Sequence, residues 1–358
     1  MTKAHDDGVP ESLANLIERA RSAQATDVHV DAAQGVAFRV ASCIRRISRA
    51  APAHEDIQRF VEVALERLPR ARLDKLGIAD TLYADDRVGA LRVHVSRGLR
   101  GYRLAIRLLA RAVPDLSTLR LPAIVASFGE YRYGLILLCG PSGSGKTTTA
   151  ASLLQRANES SARHVVTFEA PIEHVLTWGT SVVTQYEVGR DVATYAHGIR
   201  GALRADPDII FIGELSDDDA AAACLQAAES GHLVLGALDA PPDVPLALNR
   251  FIGLFPVDEQ QRARNRLSDN LRAVLALRLV PASDGSGLRA AAEILLSNDA
   301  VRRMVRDGAL HTLRSVLAAN KKAGMQTLEM SLGDLVSAGD VDLEIARSIA
   351  LYPEEIRP

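Results

Sequence analysis

A chain of 358 residues is long enough for two domains, or three, each with a sizeable core. Its 42 basic and 44 acidic residues leave a net charge of -2, which argues against a general nucleic-acid or membrane electrostatic surface. The three cysteines, Cys43, Cys139 and Cys224, stand far apart with no C-x-x-C pair; this disfavours a zinc site or a disulfide framework and points to a reduced, cytosolic chain.

Residues 1–9 are charged and lack the apolar centre of a signal peptide; disorder is expected there. Residues 10–24 carry Leu13, Leu16 and Ile17 at helical spacing. Strand-like runs follow at 27–30, 36–40 and 43–47, then one helix over 55–73 with Phe60, Val61 and Ala64 apolar. Residues 89–109 alternate and bear Arg92, Arg97, Arg100, Arg103 and Arg107. These elements predict a small α/β domain over 10–113, closed by the turn signal Val113-Pro114-Asp115. A linker with a short helix is expected over 114–133.

From Gly134 the pattern changes to short buried strands alternating with helices, the signature of a parallel sheet. Strands are predicted at 135–139, 164–168, 181–185, 209–213 and 233–237, with helices over 148–158, 192–203 and 217–228. Past Pro256 a helix is predicted over 258–277, then a strand pair from 278–281 and 291–296. Four further helices fall between Ala300 and Ile349, so a core over 134–297 and a helical region over 298–358 are expected. No apolar run approaches the about 18 residues of a membrane-spanning helix, so any membrane association is expected to go through a partner.

One stretch organises this second half. Gly140-Pro141-Ser142-Gly143-Ser144-Gly145-Lys146-Thr147-Thr148 fits G-x-x-x-x-G-K-[ST], the phosphate-binding loop. It lies between an apolar strand and a helix with Ala150, Leu153 and Leu154 on one side. Glycines let backbone N–H groups turn inward around phosphate, and the helix N-terminus adds partial positive charge. Lys146 is expected to reach the β- and γ-phosphates of ATP and Thr147 to ligate Mg²⁺. Such a loop needs an acid to orient water or assist the metal. Ile209-Ile210-Phe211-Ile212-Gly213-Glu214 supplies an apolar strand ending in a carboxylate, at the edge where ligands sit in parallel sheets. Glu169 and Glu173 stand just past another strand and are expected to converge on the same crevice. His232, in Ser230-Gly231-His232-Leu233, is a candidate γ-phosphate sensor; a purely structural role is the alternative.

Arg204-Ala205-Asp206-Pro207-Asp208 with Gly213-Glu214, followed by Glu229-Ser230-Gly231-His232-Leu233, resembles the secretion ATPase superfamily, and within it the PilT/PilU-like retraction ATPases of type IV pili. Thr26-Asp27-Val28-His29-Val30, Glu187-Val188-Gly189-Arg190-Asp191, the 300–307 stretch and Gly324-Met325-Gln326-Thr327-Leu328 are similar to further family motifs, so the likeness spans about residues 10–350. The longer N-terminal region and four-cysteine zinc insert usual in the extension and secretion members are not found, which favours the retraction branch. The resemblance implies an N-terminal PAS-like domain, a C-terminal RecA-like P-loop ATPase domain with a helical C-terminal region, and a ring homohexamer. It implies that Arg92, Arg100 and Arg107 approach the phosphates, as suits planar guanidinium groups. It implies a cytoplasmic motor held at the inner membrane by a pilus platform protein, with a paralogous retraction ATPase as a further partner and no nucleic acid.

Three positions depart from the family pattern. Ala170 stands for Asp in E-D-P-I-E, Ser216 for Arg in G-E-M-R-D, and Asp239 for His in G-T-L-H-T. Each removes a polar group from the expected phosphate neighbourhood or alters its charge, while Lys146 and Thr147 are kept. The expected function is therefore ATP-driven pilus retraction (twitching motility), with a primary and a secondary or accessory motor both left open. A nucleotide-binding regulatory or scaffold subunit with little turnover is the alternative.

Overall fold

The computed structural model describes residues 9–40, 43–65, 67–98, 100–109, 112–285 and 287–356. Two units divide the chain, Met1–Ala112 and Val113–Pro358. Residues 1–8 of the stretch expected to be disordered lie outside the described residues; Val9, also within it, is buried in the first unit's core.

The first unit opens with α1 (Glu11–Ser22), β1 (Ala25–Asp31), β2 (Gly35–Val40) and β3 (Cys43–Ser48). Next come α2 (His54–Ala64), α3 (Arg67–Leu76), β4 (Ile78–Asp85), β5 (Gly89–Gly98) and β6 (Gly101–Leu108). The strands form one antiparallel sheet in the order β3-β2-β1-β6-β5-β4. Period-two alternation sends Val28, Val30, Val93, Val95, Leu104 and Ile106 into a core shared with Leu13, Ile17, Ile57 and Phe60 of α1 and α2. The other face is polar and holds Asp27, Arg92 and Arg107 in adjacent register.

The helix expected over 55–73 is two helices. Leu65 is extended (φ -95°, ψ 105°) and α3 takes Pro69 in its first turn, where no intrahelical N–H is required. An unbroken helix would drive the Pro69 ring against the Leu65 carbonyl. No strand was expected at β4, which pairs with β5 from Ile78 to Asp85.

In the second unit, 3₁₀ turns at Leu116–Leu119 and Ala123–Glu130 precede β7 (Gly134–Gly140). There follow α4 (Lys146–Ser160), β8 (His164–Glu169), β9 (Val182–Glu187), α5 (Tyr195–Ala202), β10 (Ile209–Ile212), α6 (Asp218–Glu229) and β11 (Leu233–Asp239). Then come α7 (Val244–Ile252), α8 (Gln260–Asn270), β12 (Leu271–Pro281) and β13 (Leu288–Leu296). The chain closes with α9 (Asp299–Asp307), α10 (Leu313–Ala319), α11 (Leu328–Ser337) and α12 (Leu343–Ile349). The sheet order is β13-β12-β7-β11-β10-β8-β9, parallel except for the β12–β13 pair. Apolar clusters cover both faces, which is why its central strands read as unbroken hydrophobic runs.

Two predicted helices are shortened by the sheet. The one expected over 258–277 stops at Asn270, and Leu271–Leu277 becomes strand. That short apolar run suits either period, and here β7 and β13 pair with its backbone from both sides. The third of the four helices expected after Ala300, read over 325–338, starts at Leu328, because Gln326 bridges to Ile294 and the Thr327 hydroxyl caps the first turn. α7 was not expected; Asp243 caps it and Pro245 lies in its first turn.

Candidate nucleotide-binding site

The parallel sheet brings its strand ends together at one edge. Gly140 at the end of β7 pairs in register with Asp239 at the end of β11. Glu214 lies two residues past β10, and Glu169 closes β8. Between them lies a cleft of about 350 Å³, lined by residues 142–148 together with Glu169, Ala170, Glu173, Tyr195, Glu214 and Asp239.

The loop backbone depends on its glycines. Gly140, Gly143 and Gly145 have φ of 148°, 75° and 94°, conformations that L side chains rarely adopt. At Gly140 a Cβ would lie 2.5 Å from the Leu277 carbonyl oxygen, so the approach of β12 also forbids a side chain. Pro141 and Ser142 are exposed at the tip, and α4 begins at Lys146 directly behind Gly145. Ser144 is 3% exposed and its hydroxyl has no partner among the described residues. The Thr147 hydroxyl, half-buried in the first turn of α4, makes no hydrogen bond among the described residues; Thr148 lines the same wall. An orphaned hydroxyl, a glycine-shaped cradle and a helix N-terminus are what a phosphate chain fits. Lys146 Nζ donates to the carbonyl oxygens of Gly140 (2.9 Å) and Pro141 (3.0 Å) and forms an ion pair with Asp239 Oδ1 at 2.6 Å.

The acids differ in setting. Glu169 is buried, and its Oε1 accepts hydrogen bonds from Thr167 (2.7 Å) and Gln185 (3.1 Å). Burial pushes its carboxyl up to about 7 against those two hydrogen bonds, with the nearby Glu173 charge adding to the rise. Glu173 is half-buried beyond the cis Ala170–Pro171 bond, and Glu214 is exposed to the cleft. The Gly213 N–H donates to the Phe168 carbonyl at 2.7 Å, and a Cβ there would sit 3.1 Å from Glu169 Cα; glycine lets the two acid-bearing strand ends approach. Tyr195, at the start of α5, was not foreseen. Burial raises its hydroxyl's pKa, and the charges of Glu214 and Glu169 add to this. No spacing in the sequence marks Tyr195, because only the fold brings α5 to the cleft.

His232 does not belong with these residues. It precedes β11, while the loop lies past the other end of that strand, and its carbonyl accepts from Gly134 N–H at the start of β7. Seven strand residues at about 3.3 Å each place it roughly 20 Å from the phosphate loop in the same subunit. Its Nδ1 lies 3.0 Å from the Ala227 carbonyl oxygen, a local tie to the end of α6. Within the subunit His232 therefore stands apart from the cleft, and its tie to α6 suits the structural alternative. Of the three departures, Ala170 and Asp239 line the cleft, and Ser216 is exposed and does not. The three arginines belong to the first unit. Arg92 and Arg107 face each other across β5 and β6, Arg107 Nε holds Asp27 Oδ1 at 2.9 Å, and Arg100 is exposed in the turn between those strands.

A phosphate loop at the edge of a parallel sheet, faced by strand-end carboxylates, defines a P-loop nucleotide-binding protein. Residues 2–315 match the family described as Type II/IV secretion system protein, and the chain belongs to that family. It is 33% identical over 319 residues to the twitching motility protein of Neisseria gonorrhoeae, spanning 89% of this chain and 85% of that one. It is 32% identical over 330 residues to the type IV pilus retraction ATPase PilT of Pseudomonas aeruginosa, spanning 92% and 95%. A crystal structure of the pilus retraction motor PilT with bound ADP superposes with a TM-score of 0.86 at 33% identity, over 96% of this chain and 98% of the other. The chain is accordingly an ATPase of this family.

Proposed function

We propose that this chain is a motor that hydrolyses ATP to power type IV pilus retraction and twitching motility, working as a homohexamer. Its first unit is read as PAS-like and its second as RecA-like. The observation that carries the reading is the intact loop with Glu169, Glu173 and Glu214 in one cleft, in a chain that matches retraction ATPases over nearly its whole length.

The loop amides, Ser144 and Lys146 hold the phosphates of ATP. Thr147 is assigned to Mg²⁺, which when bound would neutralise phosphate charge. Glu214, exposed to the cleft, orients the attacking water; Glu169 and Glu173 set the charge around it. Arg92, Arg100 and Arg107 are assigned to γ-phosphate sensing within the ring, which couples nucleotide state to domain rotation. The protein is read as cytoplasmic, reaching the inner membrane through a pilus platform protein; no described helix is long and apolar enough to cross a membrane. The test is steady-state ATP turnover of the purified chain with Lys146→Ala as the blank, joined to rescue of twitching in a piliated host lacking its own retraction motor. The expected result is turnover above the blank and rescue by the wild type alone.

A second reading is favoured by one observation. Asp239 occupies the ammonium that has to bind phosphate, and Ala170 leaves the cleft one polar group short. On that reading the chain is a nucleotide-binding accessory or regulatory subunit beside a paralogous active motor. Nucleotide binding with turnover equal to the blank selects it.

A further inference from the structure

A lysine ammonium has three N–H donors. In this loop all three have acceptors: the Gly140 carbonyl at 2.9 Å, the Pro141 carbonyl at 3.0 Å and Asp239 Oδ1 at 2.6 Å. No donor is left for a phosphate oxygen unless one contact opens. The two carbonyls belong to the loop itself and move only with it. Asp239 is the one partner that can leave, because its side chain is 59% exposed while that of Lys146 is only 10% exposed. The register of β11 against β7 fixes this arrangement, setting the Asp239 backbone opposite Gly140.

We propose that Asp239 is an internal competitor for the phosphate subsite: it clamps Lys146 in the nucleotide-free protein, and nucleotide binds only by displacing it. The inference rests on the nucleotide-binding reading of the cleft and concerns the ground state. Each binding event has to break a charge-assisted contact to a mostly buried ammonium, and the released carboxylate then lines a cleft holding phosphate of like charge. Asp239 thereby weakens affinity for any nucleotide whose phosphate seeks Lys146, and re-forming the pair gives bound product a rival for the same ammonium. Asparagine at this position keeps the shape and a hydrogen-bond acceptor but removes the charge.

Two measurements on the full-length chain test this. The first titrates ADP with Mg²⁺ by calorimetry into wild type and Asp239→Asn; at least tenfold tighter binding by the variant is expected. The second follows acylation of Lys146 by an amine-reactive ester in nucleotide-free protein, read by peptide mass spectrometry with the other lysines as internal references. Faster labelling of Lys146 alone is expected in Asp239→Asn, because the carboxylate that holds its Nζ at 2.6 Å is gone. Equal ADP affinity in the two proteins, within twofold, overturns the proposal while leaving nucleotide binding intact. A gain in affinity with unchanged labelling also overturns it, since Asp239 would then act on phosphate directly. If neither protein binds ADP, the nucleotide-binding reading falls and the proposal with it.

Discussion

Glu169 is the residue whose surroundings give the cleft a pH dependence. Its carboxyl sits at about 7 because burial disfavours the charged form more than Thr167 and Gln185 favour it. The carboxylate fraction therefore grows as pH rises through about 7. If the ionised acid serves catalysis, kcat/KM for Mg·ATP rises between about pH 6 and 8, since that ratio reports the free enzyme. Glu169→Gln flattens the rise and lowers the plateau; an unchanged profile in the variant would remove Glu169 from the chemistry. At the same scale, the combined variant Ala170→Asp, Ser216→Arg, Asp239→His is expected to raise turnover at saturating ATP by about tenfold or more, because losing one charge-stabilising donor commonly costs roughly a hundredfold in rate. Ser216→Arg alone should contribute least, since Ser216 lies outside the cleft lining. Turnover of the combined variant no faster than wild type would show the departures to be harmless.

At the scale of elements, Glu293 is the joint between the sheet and the helical C-terminal region. From β13 its Oε1 accepts from Val244 N–H at 2.7 Å and its Oε2 from Leu328 N–H at 3.0 Å, the first residues of α7 and α11. It is 1% exposed, so Glu293→Ala leaves two buried amides unpaired, and a loss of about 2–4 kcal/mol in unfolding free energy is expected by denaturant titration. Burial also raises its carboxyl to about 7, opposed by the Val244 N–H bond and helped by the nearby Asp243 charge. A folded-state pKa above the unfolded value means a contribution fully present below about pH 4.3 and lost as pH rises through about 7. The thermal midpoint of Glu293→Gln should therefore fall less steeply than that of wild type between pH 5 and 8. Parallel slopes would place the titration elsewhere.

For the whole molecule the expectation is assembly. The phosphate loop belongs to the second unit and Arg92, Arg100 and Arg107 to the first; the ring is proposed from the likeness to retraction ATPases. Light scattering with Mg²⁺ and a non-hydrolysable ATP analogue should give the mass of a hexamer; a monomer at high concentration with nucleotide bound would count against the ring. Arg107→Ala should reduce turnover while leaving the unit folded, because the guanidinium is exposed and its Asp27 partner lies on the polar face of the sheet. Its measured effect on stability should stay within about 1 kcal/mol.

The sequence by itself determined the loop, its strand and helix, and the acids at the ends of β8 and β10, because local chemistry dictates them. Glycines that tolerate positive φ, an apolar strand of period-ambiguous residues and a carboxylate behind it are written consecutively in the chain. Tertiary structure decided what depends on partners far away in sequence. Leu271–Leu277 became strand because β7 and β13 offered pairing on both sides. The helix over 55–73 broke where Pro69 met backbone sterics that an apolar count does not see. His232, read as a candidate sensor, and Asp239, read as a departure, flank the same strand, yet the direction of β11 puts one near Gly134 and the other on Lys146. The sequence marked Asp239 as a charge in the wrong place; only the register of β11 against β7 showed which charge it meets.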